Sequence, residues 1–304
     1  MSAPPASPAR LPPQQTPGSA AVSHPAAPQP TWASTLHLRY GRRHGRSTAQ
    51  SQHAGALRVM AALHPEGPGI CHHVLVHPPG GLAGGDRIDI HCDVGAQAHA
   101  LVTTPGATRF YRSLGAPAVQ TLDATLHDGA RLEWLPLETL AYSACRGENR
   151  SRFTLAPGAE LFAWDMLALG LPAAGEAFQA GRFTQHLELP GVWLERGQVD
   201  AADTALLHGP GGLAGRTALG TLVFASGSPL AAARRDALLD AARRLAGGDA
   251  ERPAGATSPH PQVVVVRAAG HRIEPLAALF KQVWAAWRHL AWGVPPCAPR
   301  VWAT

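Results

Sequence analysis

The 304-residue chain carries a formal net charge of +5 and is 45% hydrophobic, enough for a sizeable core in one large domain or two smaller ones. Only one of its 26 basic residues is a lysine, Lys281, so the GxxxxGKS/T phosphate loop is absent, and the mid-helix place of Lys281 argues against a Schiff-base role. The arginines are scattered without the interleaved aromatics of a single-strand nucleic-acid binder, and no apolar run reaches the ~18 residues of a membrane span. Neither nucleic acid nor membrane is an expected partner.

Residues 1–31 are almost entirely Pro, Ala, Ser, Gln and Gly and read as a disordered tail. They lack the continuous apolar stretch of a secretory signal. The folded part is expected to be a single domain over 32–304. Cys71, Cys92, Cys145 and Cys297 lie far apart, with no CxxC. No disulfide framework is expected, and the cytoplasm is the expected compartment. The arginine cluster "LRYGRRHGRS" at 38–47 reads first as a solvated hairpin turn and second as a contact for an anionic partner.

From about residue 32 to 225 the pattern is β. "ALVTT", "TLDATL", "RLEWLPLETL", "RFTL", "ELFAWDML", "FTQHLEL" and "GTLVF" are short apolar, β-branched and aromatic runs separated by turn residues. Gly-Ala pairs at 95–96, 129–130 and 158–159 point to a recurring unit of two strands joined through a glycine turn. With no intervening helix, a mainly β sandwich or irregular β-solenoid is expected. Two α-helices are expected in the C-terminal third. "SPLAAARRDALLDAARRLAGG" opens with Ser228 as N-cap and Pro229 in the first turn, and closes at Gly247 and Gly248. After the buried strand "PQVVVVRAAG", a second helix begins at Pro275 and ends at Gly293. It places Leu276, Leu279, Phe280, Val283, Trp284, Trp287, Leu290 and Ala291 on one stripe, read as core or subunit contact, with Lys281 off it and solvated.

The stretch "HPPGGLAGGD" at 77–86 is the most unusual in the chain, because so many glycines are costly to order. It follows the strand "HHVLV" and leads into "DRIDIHC", where Ile88, Ile90 and Cys92 alternate with Arg87, Asp89 and His91. A strand-to-strand loop with no helix N-terminus behind it argues against a nucleotide site. The HHxxxH spacing of His72, His73 and His77 fails as a metal motif on a strand, because four residues separate His73 from His77 by roughly 13 Å. A closed loop would still bring His77 and Asp86 together. In the plainer reading, Asp86 accepts bonds from loop amides and His77 caps the strand. Glu133, Glu138, Asp165 and Glu176 stand in apolar surroundings. Each reads singly as a satisfied structural carboxylate, and together they suit transient binding of a borderline divalent metal. No HExxH or GxSxG occurs, and no cysteine has a clear catalytic partner.

"CHHVLVHPPGGLAGGD", "TTPGATRFYRS", "LEWLPLETL", "LALGLPAAGEAFQAG" and the closing "PRVWAT" occur in this order. With the opening "WASTLHLRYGRRHGRST" and the "HAGALRV" stretch, they resemble the UreD (UreH) family of urease accessory proteins over about 32–304. The resemblance implies a helically wound β-sandwich with two helices and a non-enzymatic maturation factor. Such a factor binds apo-urease and scaffolds UreF and the GTPase UreG, as part of a dimer of UreD–UreF–UreG units, for nickel insertion into the urease active site. No cofactor is tightly bound. Ni²⁺ passes transiently, in the family's proposed scheme through an internal polar route.

Carried over by motif, the implied metal-route residues are Asp86, Glu138 and Glu176, with His77 and Ser113 as weaker candidates. Gly80, Gly81, Gly84, Gly85, Tyr111, Arg112 and Ser113 are the other motif residues. The chain departs from the family at Leu137, where Gln is usual, at Leu171, where Arg is usual, and at Arg109, where Lys is common. The first two departures remove polar groups near the implied route. Side chains at Gly81 or Gly84 are expected to clash, with Asp86 at the opening of the route. Two competing readings are a β-fold metallohydrolase using His72, His77 and Asp86, and a pure scaffold that nickel never touches.

Overall fold

The computed structural model describes Met1 and residues 32–303. Apart from Met1, the tail expected over 1–31 lies outside the described residues. The strands are β1 (Ala33–Arg43), β2 (Arg46–Ala54), β3 (Arg58–Val59), β4 (Cys71–Val76), β5 (Arg87–Val94), β6 (His99–Thr103), β7 (Thr108–Phe110), β8 (Ala118–Leu126) and β9 (Arg131–Leu135). They continue as β10 (Thr139–Ala141), β11 (Cys145–Leu155), β12 (Glu160–Leu169), β13 (Gly181–Leu189), β14 (Trp193–Asp200), β15 (Ala218–Ser226), β16 (Ala254–His260) and β17 (Val263–Gly270).

Two sheets face each other. In the first, ordered β14-β13-β11-β8-β5-β1-β2, the five central strands are parallel and antiparallel hairpins close both edges. One of those hairpins is the arginine-rich turn at His44 and Gly45, as the sequence predicts. The second sheet runs β16-β17-β15-β12-β9-β6-β4-β3, with β10 and β7 attached beside β12. Its strands β4, β6, β9 and β12 are parallel. From β4 to β13 the chain alternates between the sheets, so each winding adds one strand to each. This is the mainly β, solenoid-like sandwich expected from the sequence.

Equivalent turns carry the chain from β5 to β6, from β8 to β9 and from β11 to β12. Gly129 and Gly158 turn with φ of 63° and 74°, a left-handed conformation that glycine adopts without a Cβ clash. A Cβ on Gly129 would also lie 2.0 Å from Nε2 of Gln97. The strand register pairs His99 with Arg131 and Arg131 with Glu160. It is therefore Gln97, at φ 61°, and not Gly95 that matches Gly129 and Gly158. The repeat suggested by the Gly-Ala pairs is real at 129 and 158 but shifted by two residues in the first turn.

Side-chain alternation gives the second sheet two buried faces. On β12, Leu161, Ala163 and Leu167 meet the first sheet, while Phe162, Trp164 and Met166 meet the helices. The four valines of β17 divide the same way, Val263 and Val265 inward, Val264 and Val266 outward. Being buried on both faces accounts for the continuous apolar run.

Among the described residues three α-helices are found where the sequence predicts two. The additional one, α1 (Thr204–His208), is a single turn whose N-cap Asp203 accepts from the Leu206 amide. Helix α2 (Ala232–Ala246) starts later than expected: Ala231 is its N-cap, with φ −56° and ψ 139° and no side-chain cap. Ser228 instead accepts a hydrogen bond from the Gly158 amide at 3.3 Å. Helix α3 (Ile273–Trp292) ends as expected at Gly293, in the left-handed conformation. Its buried stripe departs from expectation at the C-terminal end, where Leu290 is 46% exposed and Arg288 is fully buried. Lys281 is half-buried over the Trp302 ring at 5.2 Å, not freely solvated.

Candidate functional site

The glycine loop bridges the end of β4 and the start of β5. Gly80 and Gly85 take φ of 78° and 92°, and the Gly80 amide donates to the His77 carbonyl at 2.8 Å. Between them the chain runs alongside β7. The Leu82 amide donates to the Arg109 carbonyl at 2.7 Å and the Leu82 carbonyl accepts from the Tyr111 amide at 2.8 Å. A Cβ at Gly81 would lie 2.5 Å from the Tyr111 ring and 2.6 Å from the Arg109 carbonyl, and one at Gly84 would lie 2.3 Å from Ser113 Oγ. The glycine block and the "FYRS" motif are therefore one packed unit. Tyr111 also stacks edge-on against Tyr142, Ser113 Oγ donates to the Ala116 carbonyl at 2.6 Å, and Arg112 is exposed.

Asp86 closes the loop. Its carboxylate accepts from the Trp32 amide at 3.1 Å and the Ala83 amide at 2.8 Å. Burial lowers the His77 pKa, against the opposing pull of the nearby Asp86 charge. His77 also lines a cavity of about 210 Å³ between the sheets, together with Gly80, Gly81, Thr104, Arg109, Gln120 and Trp134. This cavity lies at the C-terminal ends of β4, β6 and β9.

From Gln120 a row of polar side chains crosses the interior. Gln120, Asn149 and Gln185 occupy one register on the parallel strands β8, β11 and β13, all with the inward parity of Leu122, Phe153 and Leu187. Gln120 Nε2 donates to Asn149 Oδ1 at 3.3 Å. Asn149 and Gln185 both hydrogen-bond Asp165, which reaches in from β12. Burial, reinforced by the Glu195 charge, pushes the Asp165 carboxyl up to about 6 despite those bonds. Glu195 in turn accepts from Thr221 Oγ1 and, at 2.7 Å, from Arg267 Nε. It lines an open groove of about 440 Å³ with Gln185, Thr221 and Arg267. The inter-sheet cavity and this groove are thus linked by amide and carboxylate groups.

The remaining motif acids lie elsewhere. Glu138 is half-buried along a groove of about 690 Å³ shared with Leu171, Pro172, His271 and Glu274. Glu176 is exposed, in a turn that its backbone closes through hydrogen bonds with Leu171. His72 points away from His77: its Nε2 meets Glu66 at 2.6 Å on the helix-facing side of β4. Among the described residues no group of three His, Cys, Asp or Glu side chains is placed to hold a metal ion. The structure therefore does not assemble His72, His77 and Asp86 into one metal site.

A second polar cluster, under α3, was not visible in the sequence. Arg288 pairs with Glu66 through both terminal nitrogens, at 2.6 and 2.8 Å, and reaches Glu133 at 3.1 Å. Its Nη1 also donates to the Pro295 carbonyl at 2.6 Å. Glu133 further accepts from Trp284 Nε1 at 2.6 Å and contacts His99 Nε2 at 2.7 Å. Burial opposes ionisation of Glu66, but hydrogen bonds from His72 and Arg288 hold its carboxyl down to about 2. The same balance lowers Glu133, through His99, Arg288 and Trp284. The closing "RVWA" turn seals this side, where Trp302 packs on Trp164 and Trp284 and donates to Thr103 Oγ1 at 2.8 Å.

A family model described as "UreD urease accessory protein" matches residues 33–303. The class is thus that of accessory proteins, which serve the maturation of another enzyme. The urease accessory protein UreD of Paracidovorax citrulli is 57% identical over 274 residues, covering 90% of this chain and 99% of that one. Those of Albidiferax ferrireducens and Verminephrobacter eiseniae are each 55% identical, over 274 and 273 residues, with the same coverage. The chain belongs to the UreD family. No helix among the described residues is long and apolar enough to cross a membrane.

Proposed function

We propose that this protein binds apo-urease, recruits UreF and the GTPase UreG, and hands Ni²⁺ toward the urease site through the interior of its sandwich. The observation that carries the reading is the row Gln120–Asn149–Gln185 with Asp165 against it, joining the cavity at His77 to the groove at Glu195. Burial favours the neutral imidazole of His77, which leaves a ring nitrogen with a lone pair for a borderline cation. Asp165 supplies one negative charge, and the amide oxygens can replace part of a hydration shell. No three-donor cluster is present among the described residues to retain the ion, which suits transfer without tight binding.

In this reading Asp86 shapes the opening beside His77, held by the amides of Trp32 and Ala83. Glu138 lines the outer groove near α3, and Glu176 lies in the exposed turn bonded to Leu171 of that groove, where a protein partner would meet them. Work in the cytoplasm, as part of a dimer of UreD–UreF–UreG units, belongs to the same proposal; the four cysteines are all free thiols. The test is Asp165→Leu in the full chain, coexpressed with urease, UreF and UreG. Co-purification of all partners with urease nickel content lowered at least ~10-fold supports internal transfer. Full nickel content with an intact complex overturns it and leaves the pure scaffold. Loss of the complex is resolved by Asp165→Asn, which keeps the shape and one acceptor oxygen while removing the charge. With the complex intact, that variant should also lower nickel content, and full nickel content again overturns the internal route.

A further inference from the structure

A cavity of about 310 Å³ opens at the other end of the sandwich, where β4, β6 and β9 begin. Arg42, Gln97, His99 and Arg131 line it, and every charged side chain among them is a cation or a histidine. The surrounding carboxylates are already engaged. Glu160 accepts from both terminal nitrogens of Arg234 and from Trp292 Nε1. Glu133 is held by His99, Trp284 and Arg288. Arg234 and Arg288 therefore each have a carboxylate partner, whereas Arg131 forms no ion pair among the described residues. Its guanidinium instead lies over the Trp292 ring at 5.1 Å. Arg131 is half-buried, and burial lowers its pKa against the pull of Glu160 and Glu133. Arg42 Nη1 donates to the Gly69 carbonyl at 3.1 Å, and Gln97 is held beside it in the left-handed conformation.

A half-buried guanidinium with no paired anion is costly to maintain, and its planar fork matches a carboxylate in two parallel hydrogen bonds. Glu160, clamped by Arg234 and Trp292 nearby, shows the same recognition within the fold. We propose that the cavity of Arg42 and Arg131 is a carboxylate-binding site, which takes either a small free carboxylate or an acidic side chain of a docked protein. The proposal does not depend on the nickel route, since none of its groups belongs to the row that ends at Asp165.

The test uses the full chain without urease or nickel. Acetate and succinate are titrated at constant ionic strength, with inorganic phosphate and chloride as comparators, while Tm and the line width of ¹³C-labelled acetate are followed. A saturable effect of acetate or succinate that disappears in Arg131→Gln and weakens ~10-fold in Arg42→Gln supports a free-ligand site. Arg131→Lys, which keeps the charge and loses the fork, should weaken it as well. Arg42 is exposed, so its variant still reports if Arg131→Gln fails to fold. If neither acid binds, affinities for UreF and for apo-urease are compared between wild type and Arg42→Gln. A loss of ~10-fold or more identifies the ligand as a partner's acidic side chain. Unchanged affinities, binding equal in wild type and all variants, or a response to phosphate alone overturns the proposal.

Discussion

The two faces of the second sheet bury ionisable groups in opposite ways. On the helix side, Glu66 and Glu133 are pinned by Arg288, and both carboxyls are held below their ordinary values. On the inter-sheet side no cation among the described residues pairs with Asp165, and burial pushes it up to about 6. His73, which meets Tyr40 Oη at 2.8 Å on the same side, is pushed down to about 4 by burial. The helix side keeps its two carboxylates charged by pairing them, and the inter-sheet side drives Asp165 and His73 toward neutrality. Paired charges fix a geometry, whereas an unpaired buried carboxylate is destabilising until a cation arrives. The difference separates the part of the molecule that is held from the part that has something left to bind.

The largest expected effect comes from breaking the held side. Arg288→Leu leaves Glu66 and Glu133 buried without their cation, and the expected loss is ~3–5 kcal/mol in urea unfolding. A loss under ~1 kcal/mol would mean that the network is solvated and the contrast false. Next is Gly81→Ala at the edge of the inter-sheet cavity. The new Cβ meets the Arg109 carbonyl and the Tyr111 ring, and the expected cost is ~1–3 kcal/mol. Gly106→Ala, with nothing within 4 Å of its Cβ, is the matched control and should lie within ~0.5 kcal/mol of wild type. Equal effects at the two positions would show that the loop does not pack as described.

The pH dependence sharpens the comparison, because the carboxyls of the two sides, Asp165 and Glu66, carry opposite signs. Asp165 rises from 3.8 to about 6, so the folded state holds its proton more tightly than the unfolded chain. The resulting stabilisation is fully present below the unfolded value and is lost as pH rises through about 6. Glu66 falls from 4.5 to about 2. Its contribution is present above 4.5 and is lost as pH falls toward 2. From pH 7 to 5 the Asp165 contribution grows while those of the lowered His73 and His77 shrink, so the Asp165 share is read as a difference: the stability of wild type relative to Asp165→Asn should rise as pH falls over this window. The variant should also be more stable at pH 7 by ~1–2 kcal/mol, a partial share of the 1.36 kcal/mol per pKa unit. Greater stability together with poorer nickel transfer is the trade-off expected when a functional group is buried at a cost. A variant less stable than wild type at pH 7 would mean that Asp165 is ionised in a favourable environment.

Much of this architecture was legible in residue order. The alternation of "DRIDIHC" gave the buried face of β5, and the four valines of β17 gave a strand covered on both sides. The Leu276-to-Trp287 stripe marked the buried face of α3. What could not be read depends on register between distant strands. Gln120, Asn149 and Gln185 each sit on an inward parity, but only the winding places them side by side. Nothing local in the sequence marks Arg288 as buried, because its partner Glu66 is 222 positions away. Gln97 was missed because a glycine two residues earlier resembled the repeat more closely than the residue that makes the turn. Asp86, Glu138 and Glu176 share motifs in sequence but occupy a loop closure, a groove wall and an exposed turn.

The smallest expected effect sets the lower limit of the comparison. Lys281 lies on the helix side, but its ammonium is only half-buried and has an aromatic face, not a carboxylate, as its partner. A cation over a ring at such a site contributes ~0.5–1 kcal/mol, and alanine restores a few tenths through helix propensity. Lys281→Ala should therefore cost well under 1 kcal/mol, and Lys281→Arg should be neutral or slightly stabilising because a guanidinium stacks well on Trp302. Thermal unfolding of both variants beside Arg288→Leu tests whether burial and pairing set the scale. A Lys281→Ala loss approaching that of Arg288→Leu would show that α3 is held mainly through its contact with the closing turn, with the buried carboxylates secondary.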